Sequence, residues 1–91
     1  MHPPGTDSMR LDVLLFELRL FKSRSQARQA IEEGTVLLNR ERAKPSRSVR
    51  AGDHVTLGMG GRSRTLEVLE LPRTSLSKEG ARALVRELPK G

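Results

Sequence analysis

The sequence predicts an α+β fold in which two helices and a β-hairpin lie on a small, mostly antiparallel sheet, with a further helix near the C-terminus. Apolar residues recur at helical spacing from Leu11, and a stop signal at Gly34 precedes a β-rich run. Two more β-rich segments then precede a third helical pattern. With 91 residues, the chain is expected to form one small domain with a thin core, because a domain this short buries only roughly 60–65% of its unfolded surface.

The first two helices are predicted from apolar spacing and capping residues. The first follows the i, i+3, i+4, i+7 pattern of an amphipathic helix. Its apolar positions are Leu11, Leu14, Leu15 and Leu18. Ser23 and Gln26 then have the spacing of a capping box that begins a second helix, and Gly34 is its expected left-handed stop. The narrow buried face of this second helix comprises Ala27, Ala30 and Ile31.

A basic hairpin is predicted directly after the second helix. Residues 35–38 are β-rich, and Asn39 and Arg40 stand where a two-residue turn belongs. Residues 42–44 are expected to return as the second arm. Pro45 lacks an amide donor and therefore ends that arm.

Two further strands complete the predicted sheet. Gly52-Asp53 is a turn signal, and residues 54–57 then alternate between the two faces. Residues 58–61 predict a loose hairpin loop, and the last strand is expected over residues 64–71, with a bulge at Leu69. The inward-facing residues of these strands are Val55, Leu57, Leu66 and Val68.

A third helix is predicted at the C-terminal end, with Ser77 as its cap after Pro72 ends the sheet. Its apolar positions are Ala81, Leu84, Val85 and Leu88. Arg82 and Arg86 lie together on its outer face and are interpreted as solvated.

These elements divide the chain into three parts that form one domain. Residues 1–8 are rich in Pro, Gly and polar residues and are expected to be a disordered extension. Residues 9–58 are expected to be the binding core. Residues 59–91 supply the final hairpin strand and the C-terminal helix.

Positive charge is concentrated in the middle third of the chain. Residues 19–50 contain nine Lys or Arg and three Glu, a net charge of +6, which equals the net charge of the whole chain. Residues 1–18 carry −2 and residues 51–91 carry +2. A basic charge this localised indicates a polyanionic partner, with RNA favoured.

The start of the second helix carries cations that disfavour the helix itself. Arg24 and Arg28, four residues apart, share a face, and Lys22 adds charge at the same end. Cations near a helix N-terminus oppose the helix dipole by about 0.3–1 kcal/mol. An anionic phosphate bound at this end would offset that cost. For one Arg pair alone, a solvated face partly neutralised by Glu32 is the simpler interpretation, whereas the three cations with the following hairpin favour a phosphate site.

The residue types present argue against catalysis and metal binding. Cysteine is absent, which excludes disulfides and thiolate ligands. His54 has no convergent partner, and Glu32 and Glu33 are adjacent, so on a helix they point in different directions. We therefore expect no enzymatic activity, no catalytic residues, no metal and no cofactor.

Membrane association is not expected either. No apolar run approaches the roughly 18–20 residues that cross a bilayer, and the N-terminal residues lack the pattern of a secretory signal. The basic segment also lacks the bulky apolar face of helices that bind membrane surfaces. A cytoplasmic location is therefore expected. The chain is also expected to be a monomer.

The segment RLDVLLFELRLFKSRSQARQAIEEGTVLLN at 10–39, followed by AKPSRSVRAGD at 43–53, resembles the RNA-binding domain first described in small-subunit ribosomal protein four, the S-four domain. Over roughly residues 9–87 the chain resembles stand-alone members, a ribosome-binding bacterial heat-shock protein and a related quality-control factor. The resemblance implies a fold with the αL motif of that family. It also implies docking on ribosomal RNA, and on tRNA, of large ribosomal subunits blocked by a nascent chain, in their rescue or quality control.

The resemblance places RNA contacts at the start of the second helix and around the hairpin. The residues that the resemblance assigns to RNA contacts are Arg10, Lys22, Ser23, Arg24, Arg28, Asn39, Lys44, Ser46 and Arg47. The basic segment adds Arg40, Arg42 and Arg50.

Two departures from the family pattern affect these expectations. Arg40 replaces the glycine of an Asn-Gly turn, so either the turn type has changed or Arg40 has been recruited to RNA. Two positions of the first helix that are aromatic in the heat-shock relatives are Leu14 and Phe16 here, so only one aromatic ring remains. We therefore expect recognition of RNA backbone and shape rather than base stacking.

Two other functions remain open from the sequence. The chain could serve as an RNA-targeting accessory module for a separate enzyme that modifies rRNA or tRNA. It could also bind DNA, since phosphate contacts do not distinguish the two polymers. However, no helix with a basic, amide-rich face long enough to read a groove is apparent.

Overall fold

Three helices and six strands make up the part of the chain that the computed structural model describes, residues 8–72 and 78–89. In chain order they are β1 (Met9–Arg10), α1 (Leu11–Glu17), α2 (Arg24–Glu33), β2 (Val36–Leu38), β3 (Ser48–Val49), β4 (His54–Met59), β5 (Arg62–Val68), α3 (Lys78–Arg82) and β6 (Val85–Glu87). The predicted α+β class is confirmed. None of the described helices has the length and apolar character needed to span a membrane.

The limits of α2 follow from its capping residues. The Ser23 hydroxyl accepts a hydrogen bond from the Gln26 amide at 3.1 Å, which satisfies one free donor of the first turn. Gly34 ends the helix with φ +84°, a left-handed conformation that glycine adopts without a steric penalty. Both predicted limits of the second helix are confirmed, as is its buried face of Ala27, Ala30 and Ile31.

The core lies between the helix pair and one face of an antiparallel sheet. Four strands pair in the order β2-β4-β5-β6, while β1 pairs separately with β3. The predicted inward-facing residues of β4 and β5 are all buried, and they pack with the three leucines of α1 and with Leu18 directly after it. This packing fixes α2 above the sheet and holds its N-terminal end and outer face open to solvent.

The hairpin after β2 is shorter than predicted. Its two arms share a single bridge between Leu38 and Glu41, and residues 42–44 form no strand. The chain turns instead toward α1, where the Asp12 amide donates to the Pro45 carbonyl at 3.1 Å. The predicted second arm is therefore wrong, because the chain leaves β2 after Glu41 and its next backbone contacts, from Pro45 and Arg47, are with the start of α1.

The C-terminal third also differs from its prediction. The turn between β4 and β5 is confined to Gly60-Gly61, so residues 58–59 belong to β4. The next strand runs over Arg62–Val68 instead of 64–71. Leu69 follows the strand and is 42% exposed. Its amide and that of Glu70 both donate to the Leu84 carbonyl, at 2.7 and 3.3 Å, so two residues face one here, as at the predicted bulge.

The predicted third helix is only partly correct. It covers Lys78–Arg82, and β6 takes the place of its expected second half. Val85 pairs with Val68 in the sheet, because β5 offers an edge of free amide and carbonyl groups that a short strand satisfies. Arg86 consequently lies on a strand, apart from Arg82, and its guanidinium contacts Glu67 at 2.6 Å. Ser77, the predicted cap, lies outside the described residues.

Candidate nucleic-acid interface

A surface groove of about 480 Å³ lies between α2 and the segment that follows the hairpin. Its lining residues are Arg10, Arg28, Ile31, Glu32, Arg42, Ala43, Lys44, Pro45 and Ser46. Five of the twelve predicted RNA-binding residues therefore meet in one concavity, although they come from three separate segments of the chain. Four cations and one carboxylate line it, which makes it a suitable site for an anionic group.

Arg10 is held in place by a buried carboxylate. Its Nε and Nη2 atoms donate to the two oxygens of Asp12 at 3.1 and 3.0 Å, and Asp12 Oδ1 also accepts from the Val13 amide at 2.8 Å. The Asp12 side chain is 6% exposed, whereas that of Arg10 is 52% exposed. A planar guanidinium bound at two points has a fixed orientation, so the remaining donors of Arg10 are presented to the groove in a defined way.

The charge state of Asp12 supports this arrangement. Burial alone would raise the pKa of the Asp12 carboxyl. The hydrogen bonds from Arg10 and the Val13 amide, with the nearby charges of Arg10 and Arg24, outweigh burial and lower that pKa below its ordinary value. Asp12 is therefore ionised at neutral pH and holds Arg10 as a charged partner.

The wall of the groove on α2 contains an ion pair. Arg28 Nε lies 3.5 Å from Glu32 Oε2, with both side chains more than half exposed. An exposed pair at this spacing contributes only about 0.3–0.5 kcal/mol. Arg28 is therefore available to exchange Glu32 for a phosphate.

Arg42 fixes the other wall to the end of α2. Its Nη2 atom donates to the Glu32 carbonyl at 2.9 Å, one of the free acceptors at the helix C-terminus. The guanidinium lies against Gly34, where a Cβ atom would come within 3.3 Å of Arg42 Cζ. Gly34 is thus favoured by its positive φ, whereas a Cβ atom would require the exposed Arg42 side chain to shift by only a few tenths of an ångström.

The tip of the hairpin is set by its two turn residues. Asn39 and Arg40 have φ values of +51° and +67°, the left-handed geometry of a tight hairpin turn. The replacement of glycine by Arg40 has therefore not removed the positive φ. Asn39 binds the start of β4, since its Oδ1 accepts from the His54 amide at 2.9 Å and its Nδ2 donates to Asp53 at 3.3 Å.

Seven of the predicted cations form no salt bridge with any residue in the described ranges. They are Lys22, Arg24, Arg40, Arg42, Lys44, Arg47 and Arg50, and all seven are exposed. Ser23 caps α2, and Ser46 lies in the turn that the Arg47 amide closes onto the Lys44 carbonyl at 2.9 Å. By contrast, Arg64 and Arg86 on the sheet are paired with Glu87 and Glu67.

Two residues of the site were missed from sequence. Asp12 holds Arg10, and Glu32 lines the groove as its single acid. An Asp two residues after an Arg at a helix start could have suggested the first contact. Nothing in the sequence indicated that the hairpin segment would lie beside Glu32.

The described residues hold no cluster of metal ligands. Within residues 8–72 and 78–89, no three His, Cys, Asp or Glu side chains lie close enough together to hold a metal ion. Buried side-chain polar atoms in the same ranges all have hydrogen-bond partners. His54 is half-buried in β4 and lies across from Glu67 in the sheet register.

The fold and the groove together define a small basic α+β domain that presents a cation-lined concavity at the side of a helix pair. Residues 9–55 match the S4 domain family. The chain belongs to this family, and the resemblance inferred from its sequence is confirmed.

Similar proteins include two kinds of stand-alone member. The chain is 37% identical over 73 residues to the RQC P-site tRNA stabilizing factor of Bacillus subtilis, covering 80% of this chain and 85% of that protein. It is 37% identical over 82 residues to the Heat shock protein 15 homolog of Aeromonas salmonicida, covering 90% of this chain and 62% of the relative. The chain thus spans less than two thirds of the length of this second relative.

A solved structure has the same fold. Heat shock protein 15 of Vibrio cholerae, described as trimeric, superposes with a TM-score of 0.83 at 36% identity. The superposition covers 90% of this chain and 83% of that one. The monomeric state expected for this chain stays a prediction.

Proposed function

We propose that this protein binds ribosomal RNA and tRNA on the large ribosomal subunit and acts in the rescue or quality control of blocked nascent chains. The observation that carries the proposal is the groove lined by Arg10, Arg28, Arg42 and Lys44. Five further cations of the predicted set form no salt bridge within the described residues, namely Lys22, Arg24, Arg40, Arg47 and Arg50. A surface with these charges is complementary to a folded phosphate backbone. The name of the Bacillus subtilis relative, a P-site tRNA stabilizing factor, supports the proposal that this protein also acts on the ribosome.

We further propose that the role is one of binding without catalysis, carried out in the cytoplasm by a monomer. The anchoring contacts are assigned to the twelve residues named from sequence, with Arg10 and Arg28 at their centre. Asn39 and Ser23 contribute chiefly through the backbone they hold, because their side-chain oxygens accept hydrogen bonds within the protein. Recognition is of shape and backbone.

Sedimentation of tagged protein through a sucrose gradient tests which ribosomal particle the protein binds. Lysates are compared with and without an antibiotic that stalls translation. We expect the protein to migrate with large subunits that carry peptidyl-tRNA, and to do so more strongly after stalling. Migration at the top of the gradient under both conditions would contradict the proposal and favour an RNA-targeting module for a modifying enzyme.

Charge reversal tests whether the basic surface of α2 binds the ribosomal particle. Arg24→Glu with Arg28→Glu changes the net charge by −4 on α2, and Arg62→Glu with Arg82→Glu makes the same change away from the groove. All four side chains are exposed, so both variants should fold. We expect the first pair to abolish association with the particle and the second to retain most of it. An equal loss in both would assign binding to overall charge.

A further inference from the structure

Glu32 is an unexpected component of a site for phosphate. It is the single acid among the nine residues that line the groove, where four of the others are cations. A carboxylate repels a phosphate bound beside it. A groove that held only phosphate would therefore bind more tightly with a neutral residue at this position.

The contacts of Glu32 leave its carboxylate accessible. Its side chain is 55% exposed, and its contact with Arg28 at 3.5 Å is long for a hydrogen bond. The Arg42 hydrogen bond goes to the Glu32 backbone carbonyl, so it does not occupy the carboxylate. A strong acceptor thus stands among cations in a concavity of about 480 Å³.

We propose that Glu32 makes the groove selective for RNA over DNA by accepting a hydrogen bond from a ribose 2′-hydroxyl next to a phosphate held by Arg28 and Lys44. A carboxylate only accepts hydrogen bonds, so its partner must be a donor. The 2′-hydroxyl is the backbone donor that RNA has and DNA lacks. This inference rests on the proposed RNA-binding function and assigns a discriminating residue within it.

The adjacent Glu33 provides a matched control. It lies on the same helix, carries the same charge, and contacts Gln29 at 3.1 Å outside the groove. Successive helical residues point about 100° apart. Long-range repulsion of nucleic acid is therefore similar for the two residues, whereas a direct contact in the groove is open to Glu32 alone.

The test compares an RNA hairpin with its 2′-fluoro counterpart and with DNA of the same sequence. The 2′-fluoro hairpin keeps an A-form backbone but lacks the hydroxyl donor. We expect the full chain to prefer RNA over 2′-fluoro RNA by about tenfold, the scale of a hydrogen bond to a charged group. The preference should fall to about twofold or less in Glu32→Ala and persist in Glu33→Ala.

Each other result has a defined meaning. If the unmodified chain binds no RNA hairpin and no ribosomal particle, the proposed function fails. If it binds RNA and 2′-fluoro RNA equally well, the inference fails while the function stands. A preference that survives Glu32→Ala, or that falls equally in Glu33→Ala, also overturns it. Circular dichroism of both variants establishes that each is folded.

Discussion

Asp12 shows how a buried acid can serve a site that binds anions. Its carboxylate is taken out of water, where a lone charge would be costly, and is compensated by two hydrogen bonds from Arg10 and one from the Val13 amide. The same contacts orient Arg10 at the edge of the groove. One residue therefore contributes both to the stability of the fold and to the geometry of the site.

Asp12→Asn should lower the free energy of unfolding by about 1–3 kcal/mol at neutral pH, because hydrogen bonds to a charged group are lost. The folded-state pKa of Asp12 is lowered, so this contribution is complete above the ordinary pKa. It is lost as the pH falls below about 4 and through the lowered folded-state value. Urea unfolding of both proteins across this range should show the difference shrinking in acid. A constant difference would contradict the assignment.

Arg40 occupies a backbone conformation that favours glycine, with φ +67° at the exposed hairpin tip. Relieving this geometry gains about 1–2 kcal/mol, less about 0.5–1 for the extra freedom of unfolded glycine. Arg40→Gly should therefore raise the unfolding free energy by roughly 0.5 kcal/mol while weakening RNA binding through the lost cation. Arg40→Lys keeps the charge and should bind normally. Tighter or unchanged RNA binding by Arg40→Gly would exclude Arg40 from the interface.

At the scale of the element, α2 combines a cap with a binding end. Ser23 satisfies the Gln26 amide, while Lys22 and Arg24 place positive charge at the end where the helix dipole is also positive. Stability and anion binding therefore make opposite demands on this turn. Substitutions at Ser23 can separate them.

Ser23→Ala removes the cap and should cost about 1 kcal/mol of stability. Ser23→Asp retains a capping oxygen and places a negative charge near the helix dipole, so its unfolding free energy should equal or exceed that of the unmodified chain. Its RNA affinity should nevertheless fall, because the carboxylate repels phosphate. Thermal unfolding and RNA titration of both variants measure the two effects. If Ser23→Asp bound RNA as well as the unmodified chain, the N-terminal turn of α2 would lie outside the interface.

The elements that sequence predicted well are those with local signals. The spacing of leucines in α1, the cap at Ser23 and the stop at Gly34 depend on neighbours within one turn, and all were confirmed. The helix predicted over residues 83–88 was wrong. Leu84, Val85 and Leu88 have helical spacing, but Val85 lies in a strand that pairs with Val68, a residue distant in sequence. The groove could not be predicted from the sequence for the same reason, since the contact between Pro45 and Asp12 that helps to form it joins residues distant in sequence.

At the scale of the whole molecule, the cations differ in whether an acidic side chain neutralises them. Two of the three cations of the four-stranded sheet, Arg64 and Arg86, are neutralised by acids on the neighbouring strand, whereas Arg62 forms no salt bridge within the described residues. Those of α2 and the hairpin segment mostly form no salt bridge within the described residues, and residues 19–50 carry a net charge of +6 against +2 for residues 51–91, so this side of the molecule is the more positive one. A polyanion is expected to approach that side regardless of its sequence.

The salt dependence of RNA binding should distinguish the cations without a salt bridge from the paired ones. About four to six phosphate contacts predict that the logarithm of the affinity falls with a slope of about −3 to −5 against the logarithm of salt concentration. Arg47→Gln, at an unpaired cation, should reduce the slope by about one, since one phosphate contact is lost. Arg64→Gln removes the same charge from a paired position and should leave the slope unchanged. Titrations between about 50 and 200 mM salt distinguish them. Equal slopes for the two variants would mean that binding depends on total charge rather than on one surface, and a slope near zero would exclude phosphate contacts as its basis.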